Sequence, residues 1–188
     1  MNIYIFFSLI LVLGGGIFSL NNNNIYSQEP QNFEEYNSDL LDVTLQYPLE
    51  WKNVITEEEL TLGEEGNRIS FDLPFTKEGV FVILEKETEF DKLNEVELEN
   101  LRQTIDIASS GVGEYDIIEV VPTTLDNHNA TKLRFDNQYS VEKNSILQIV
   151  SLVDGKEYLI TYRTDSGSFN KYLPTIENMI KSIKITED

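Results

Sequence analysis

The chain has 188 residues, no cysteine, one histidine and a net charge of −19, with 40% hydrophobic and 11% aromatic residues. These figures exclude disulfides, thiolate nucleophiles, cysteine metal sites and anchoring through an acylated cysteine. They also make nucleic acid and anionic lipid poor partners, because an acidic surface repels phosphate.

The length suits one domain of about 150 residues plus a targeting segment, large enough to be held by burial alone. The charge is uneven. Residues 28–100 hold 20 acidic and 5 basic side chains, a balance of −15, and residues 101–188 hold 13 and 9, a balance of −4.

Residues 3–20 carry no charge, and the first charged side chain is Glu29. As a helix these 18 residues would span about 27 Å, just short of a bilayer's hydrocarbon core. Ile25-Tyr26-Ser27 before Gln28 resembles a signal cleavage site. A cleaved signal and an uncleaved anchor both remain open, and both put the remainder outside the cytoplasm, as the acidic flank also favours. The expected organisation is a signal peptide or N-terminal membrane anchor over residues 1–27, a polar linker over 28–37 and a folded domain over 38–188. The Asn-rich run from Asn21 supports the linker.

Within the domain, Leu41, Val43 and Leu45 alternate with polar residues and predict a half-buried strand that ends at Tyr47-Pro48. Trp51, the only tryptophan, is expected to anchor the following turn. Residues 56–67, rich in Glu, predict a loop or short helix and a turn. Ile69, Phe71 and Leu73 predict the next strand. Residues 80–84, VFVIL, read as a strand covered on both faces, which calls for helices above and below the sheet.

A helix is expected from Lys92 to about Ser109, with Asp91 as its N-cap. Residues 115–121 predict a strand with Pro122 as its stop. A loop over 123–129 then leads into a strand carrying Leu133 and Phe135. Asp154-Gly155 between residues 145–153 and 156–164 is a hairpin signal, because a type I′ turn needs positive φ at both central positions. In the tail, Phe169, Tyr172, Leu173, Ile176, Met179, Ile180 and Ile183 recur at helical spacing. Pro174 is expected at the first turn of the main helix, after a separate lead-in turn.

Chemical motifs are sparse. His128 alone cannot supply a triad without a nucleophile elbow, and no Gly-x-Ser-x-Gly run occurs. Gly111-x-Gly113 lacks a third glycine, and no phosphate-binding loop is present. Glu85, Glu87, Glu89 and Asp91 are candidate metal ligands. On a continuing strand the three glutamates would share one face and present oxygens to calcium. The bland alternative is a solvated strand end leading into a helix cap. Asn129-Ala130-Thr131 is a glycosylation sequon on an expected loop, with Asn129 as acceptor.

Several segments together resemble the PsbP family of extrinsic photosystem proteins. They are Tyr47-Pro48 with Trp51, Asn129-Ala130-Thr131-Lys132-Leu133, Asp154-Gly155-Lys156 with Tyr158 and Ile160-Thr161-Tyr162, and Phe169 with Tyr172-Leu173-Pro174, Met179-Ile180 and Ser182. The resemblance covers roughly residues 38–185. It implies an α+β fold, an α/β/α sandwich with a central antiparallel sheet flanked by helices, and a non-enzymatic accessory role.

Stand-alone prokaryotic versions, many of them archaeal, commonly carry an N-terminal signal or anchor and a polar linker. Photosystem members help to retain calcium and chloride. The histidines proposed as metal ligands in plant members have no counterpart here, and the basic N-terminal docking region is replaced by an acidic, Asn-rich one.

The expected function is therefore an exported or membrane-anchored binding protein that contacts a membrane or envelope protein, with no catalytic residues and no resident cofactor. The alternatives are weak calcium binding or ion retention, and hydrolysis by a carboxylate pair.

Overall fold

The computed structural model describes residues 32–60, 66–74, 76, 79–96, 114–139 and 142–186. These form nine strands of six residues or more and a two-residue tenth. They are β1 (Phe33–Ser38), β2 (Val43–Pro48), β3 (Ile55–Leu60), β4 (Gly66–Asp72), β5 (Val80–Glu87), β6 (Glu114–Leu125), β7 (His128–Tyr139), β8 (Glu142–Val153), β9 (Lys156–Asp165) and β10 (Lys184–Ile185). A 3-10 helix, Leu49–Val54, follows β2, and the tail helix α1 spans Phe169–Ser182.

The strands make two antiparallel sheets. The small one has the order β1-β2-β10, and the large one β3-β4-β5-β9-β8-β7-β6. This corrects the expected helix-flanked α+β sandwich: the described part is mostly β. β2 does not join the central sheet. It pairs with β1 and β10, and its Val43, Leu45 and Tyr47 share one core with α1 and the large sheet. A sheet and a helix therefore divide the layer that helix alone was expected to fill. Residues 93–96 are helical, and the rest of the helix expected up to Ser109 lies outside the described residues.

Period-2 alternation builds the main core. Ile69 and Phe71 of β4, Phe81 and Ile83 of β5, Ile160 and Tyr162 of β9, and Leu147 and Ile149 of β8 are buried and lie opposite one another in register. Against them α1 sets Phe169, Tyr172, Ile176 and Met179, all buried and at helical spacing. Trp51 is buried in the 3-10 helix, its ring edge-on to Tyr172 at 6.4 Å. The Tyr172 hydroxyl donates to the Pro74 carbonyl at 2.7 Å. A second cluster, Leu133, Phe135 and Ile146, lies on the other face of the large sheet.

Two of the long hairpins turn on two described residues with positive φ: Asp154 (49°) with Gly155 (79°), and Asp126 (44°) with Asn127 (69°). The first matches the expected turn. The second replaces the loop expected over 123–129, because the strands continue to Leu125 and from His128.

Other expectations are also corrected. Residues 33–37, read as linker, lie in β1. Residues 56–60, read as loop or helix, lie in β3, which ends the large sheet among the described residues. Pro122 does not stop β6. It pairs opposite Thr131 within the strand, which its missing donor permits because β6 is also an edge among the described residues. Pro174 lies inside one continuous α1 rather than at the start of a second helix.

Candidate functional site

Polar side chains gather at the end of the large sheet where β5 finishes, β9 begins and the two hairpin turns lie. On the core-facing side, Glu85 is 4% exposed. Its register partners are Asn67 of β4 and Tyr158 of β9. Asn67 donates its side-chain amide to Glu85 Oε2 at 2.8 Å and to the Leu40 carbonyl at 3.0 Å. Lys156 Nζ lies 3.4 Å from Glu85 Oε1 and 3.6 Å from Asp42 Oδ2. Asp42 belongs to the β1–β2 turn and has a φ of 51°.

The cluster therefore ties the small sheet to the large one. Partial burial pulls the Lys156 ammonium down, but the Glu85 and Asp42 carboxylates outweigh it and leave it above the usual lysine value. Burial pushes the Tyr158 hydroxyl up to about 12. On the opposite face, Lys86 pairs with the buried Glu157 at 3.2 Å.

The four expected metal ligands do not converge. Glu85 is engaged by Asn67 and Lys156, Glu87 is exposed at the end of β5, and Glu89 and Asp91 lie beyond it in irregular chain. Among the described residues no three of His, Cys, Asp or Glu are placed to hold a metal ion.

Asp91 instead lines an open cleft of about 390 Å³ with Leu93, Asn127, His128, Asn129 and Leu152. Asn129 is exposed on β7, not on a loop. Its backbone carbonyl accepts from Ser151 Oγ at 2.9 Å. The cleft presents one carboxylate, two amides and an imidazole between two leucines. Such a lining suits hydrogen bonding to a polar group, and among its described residues there is no second carboxylate to complete an acid–base pair.

Sequence reasoning missed the clasp at Asp126. Lys184 Nζ donates to Asp126 Oδ1 at 2.6 Å, and the Ile185 N–H donates to Oδ2 at 2.9 Å. The contact spans 59 residues, and no local pattern announces it. Burial alone would raise the Asp126 carboxyl, but these two bonds and the Lys184 charge bring it below its ordinary value. A depressed carboxylate stabilises the fold above its unfolded pKa and ceases to do so as pH falls through the folded value. Asp126→Asn keeps a side-chain acceptor and tolerates positive φ, so it removes mainly the charge. It is expected to cost about 1 kcal/mol at pH 7, with the gap to the parent closing in urea melts as pH falls through the depressed Asp126 value. A gap that stays constant with pH would contradict the clasp.

Sequence reasoning also missed Ile117, Ile118 and Val120, large apolar side chains exposed on β6. Their signal was the broken alternation of residues 117–121, IIEVV, which the structure resolves as an irregularity in the pairing between Ile117 and Glu119.

Among solved structures, the chain is similar to the cyanobacterial PsbP of Synechocystis sp. PCC 6803. The match covers 92% of this chain and 100% of that one, at 15% identity and a TM-score of 0.62. The fold is PsbP-like.

The chain is also similar to a Pseudomonas aeruginosa protein of unknown function, over 83% of this chain and 99% of that one, at 13% identity and a TM-score of 0.56. A Bacteroides thetaiotaomicron structure matches 82% of this chain and 49% of that one, at 12% identity and a TM-score of 0.51. No family model and no curated protein matches the sequence. At these identities the PsbP-like likeness is one of fold. No helix among the described residues is long and apolar enough to cross a membrane, and the apolar segment over residues 3–20 lies outside them.

Proposed function

We propose that this chain is an exported, non-enzymatic binding module that works by contact with a membrane or envelope protein. The observation that carries the reading is the PsbP-like fold over nearly the whole chain, since the family resemblance implies an accessory protein rather than a catalyst. The polar chemistry supports it. Glu85 and Glu157, the two buried carboxylates among the described residues, are each held by a lysine, and so are poorly suited to act as a hydrolytic pair. The uncharged N-terminal segment and the acidic domain after it support export.

The test uses the full chain, tagged and cross-linked in intact cells of its source. It is expected to recover one membrane or envelope protein in constant proportion, with no turnover of ester, peptide or glycoside substrates. Repeated recovery of no partner, or measurable turnover, would overturn the proposal.

A further inference from the structure

Among the described residues, β6 has a hydrogen-bonded neighbour on one side only, because it ends the order of the seven-stranded sheet. An edge strand directs a row of backbone N–H and C=O groups outward. Natural edges are usually guarded by charge, proline or a bulge. Here Pro122 and Glu119 supply the guards, yet Ile117, Ile118 and Val120 stand 45%, 47% and 46% exposed on the same stretch. Ile117 lies opposite Phe135 and Val120 opposite Leu133. The exposed side chains are therefore continuous with the second apolar cluster. The irregularity between Ile117 and Glu119 adds Ile118 to this border.

Charge limits what can dock. Asp116 is exposed beside the apolar group, and the chain as a whole is at −19. Antiparallel pairing of β6 with β6 of a second copy would bring acidic strand against acidic strand, which disfavours a dimer through this edge. A segment of opposite charge gains from the same arrangement.

We infer that the outer edge of β6, N-terminal to Pro122, accepts an extended segment of a partner protein in which apolar residues alternate with lysine or arginine. The segment adds as an eighth strand to the large sheet. Main-chain hydrogen bonds supply affinity, and its apolar side chains cover Ile117, Ile118 and Val120. This rests on the binding-module reading and names the surface it would use.

The experiment titrates the full chain with a ten-residue peptide alternating valine and lysine, and separately with one alternating valine and glutamate. The lysine peptide is expected to bind with a Kd below about 1 mM. At ten times its Kd it should slow amide exchange in residues 116–121 by about tenfold and leave β3, the opposite edge, unchanged. The double variant Ile118→Asp/Val120→Asp should lose about tenfold or more in affinity. Asp116→Lys, which leaves the apolar group intact, should weaken the lysine peptide and favour the glutamate one.

Protection spread over the whole surface, equal binding of both peptides, or dimerisation through β6 would overturn the inference. A native partner captured equally well by the double variant would overturn the edge assignment while leaving the binding-module reading in place.

Discussion

Phe169→Ala is expected to lower the free energy of unfolding by about 3–5 kcal/mol, the usual cost of deleting a buried aromatic ring. Phe169 opens α1 and is 1% exposed. Its ring stacks on Tyr162 at 4.8 Å between centroids, and the Arg134 guanidinium carbon lies 4.8 Å from its centroid on the ring face. Removing the ring strips a wall from the large sheet and from α1 together, so neither can collapse into the space alone.

Domains have only about 5–15 kcal/mol in total. The variant is therefore expected to have a much lower urea midpoint with an unchanged m-value, or to fail to accumulate. Tyr162→Phe is the calibrating comparison. It removes only the hydroxyl that donates to the Phe169 carbonyl at 2.9 Å and is expected to cost about 1–2 kcal/mol. If both variants cost the same, the ring is not what holds α1 to the sheet.

Glu85→Ala is expected to cost about 2–3 kcal/mol, below the value for a fully buried pair because Lys156 keeps some contact with water. The loss has two sources. Lys156 retains only the 3.6 Å contact with Asp42, and the Asn67 amide loses its shorter acceptor. Glu85→Leu with Lys156→Met should recover most of the loss, since an apolar pair needs no charge compensation and Asn67 still donates to the Leu40 carbonyl. Chemical denaturation of the three proteins at neutral pH decides it. A double variant as unstable as Glu85→Ala would mean that the ion pair itself, and not the stranded charge, holds the sheets together.

The parts of the fold legible in the sequence are those set by short-range sterics and burial. Asp154-Gly155 forms the expected turn because positive φ at two successive residues is a local requirement. Phe169, Tyr172, Ile176 and Met179 make the expected buried stripe because side chains three or four apart share a helix face. Trp51 packs under its turn as its position after Tyr47-Pro48 suggested.

The failures are equally specific. β3 escaped notice because periodicity detects alternating burial, whereas an edge strand needs only backbone pairing to β4. Pro122 misled because its tolerance depends on whether a neighbouring strand requires its N–H, which is a property of the sheet and not of the residue. For the alternating glutamates the structure gives only placement: the strand ends at Glu87, and Glu85 pairs with a lysine that follows it 71 positions later.

By itself, then, the sequence determined the Asp154-Gly155 turn between its two strands and the buried stripe of the tail helix. Those choices are made within a few residues and survive in any tertiary context. Only the tertiary structure decided that β2 leaves the large sheet to pair with β1 and β10, that Asp126 clasps β10, and that β6 ends the sheet with Ile117, Ile118 and Val120 exposed. Strand partners are chosen by packing summed over contacts far apart in the chain, and no local pattern encodes that sum.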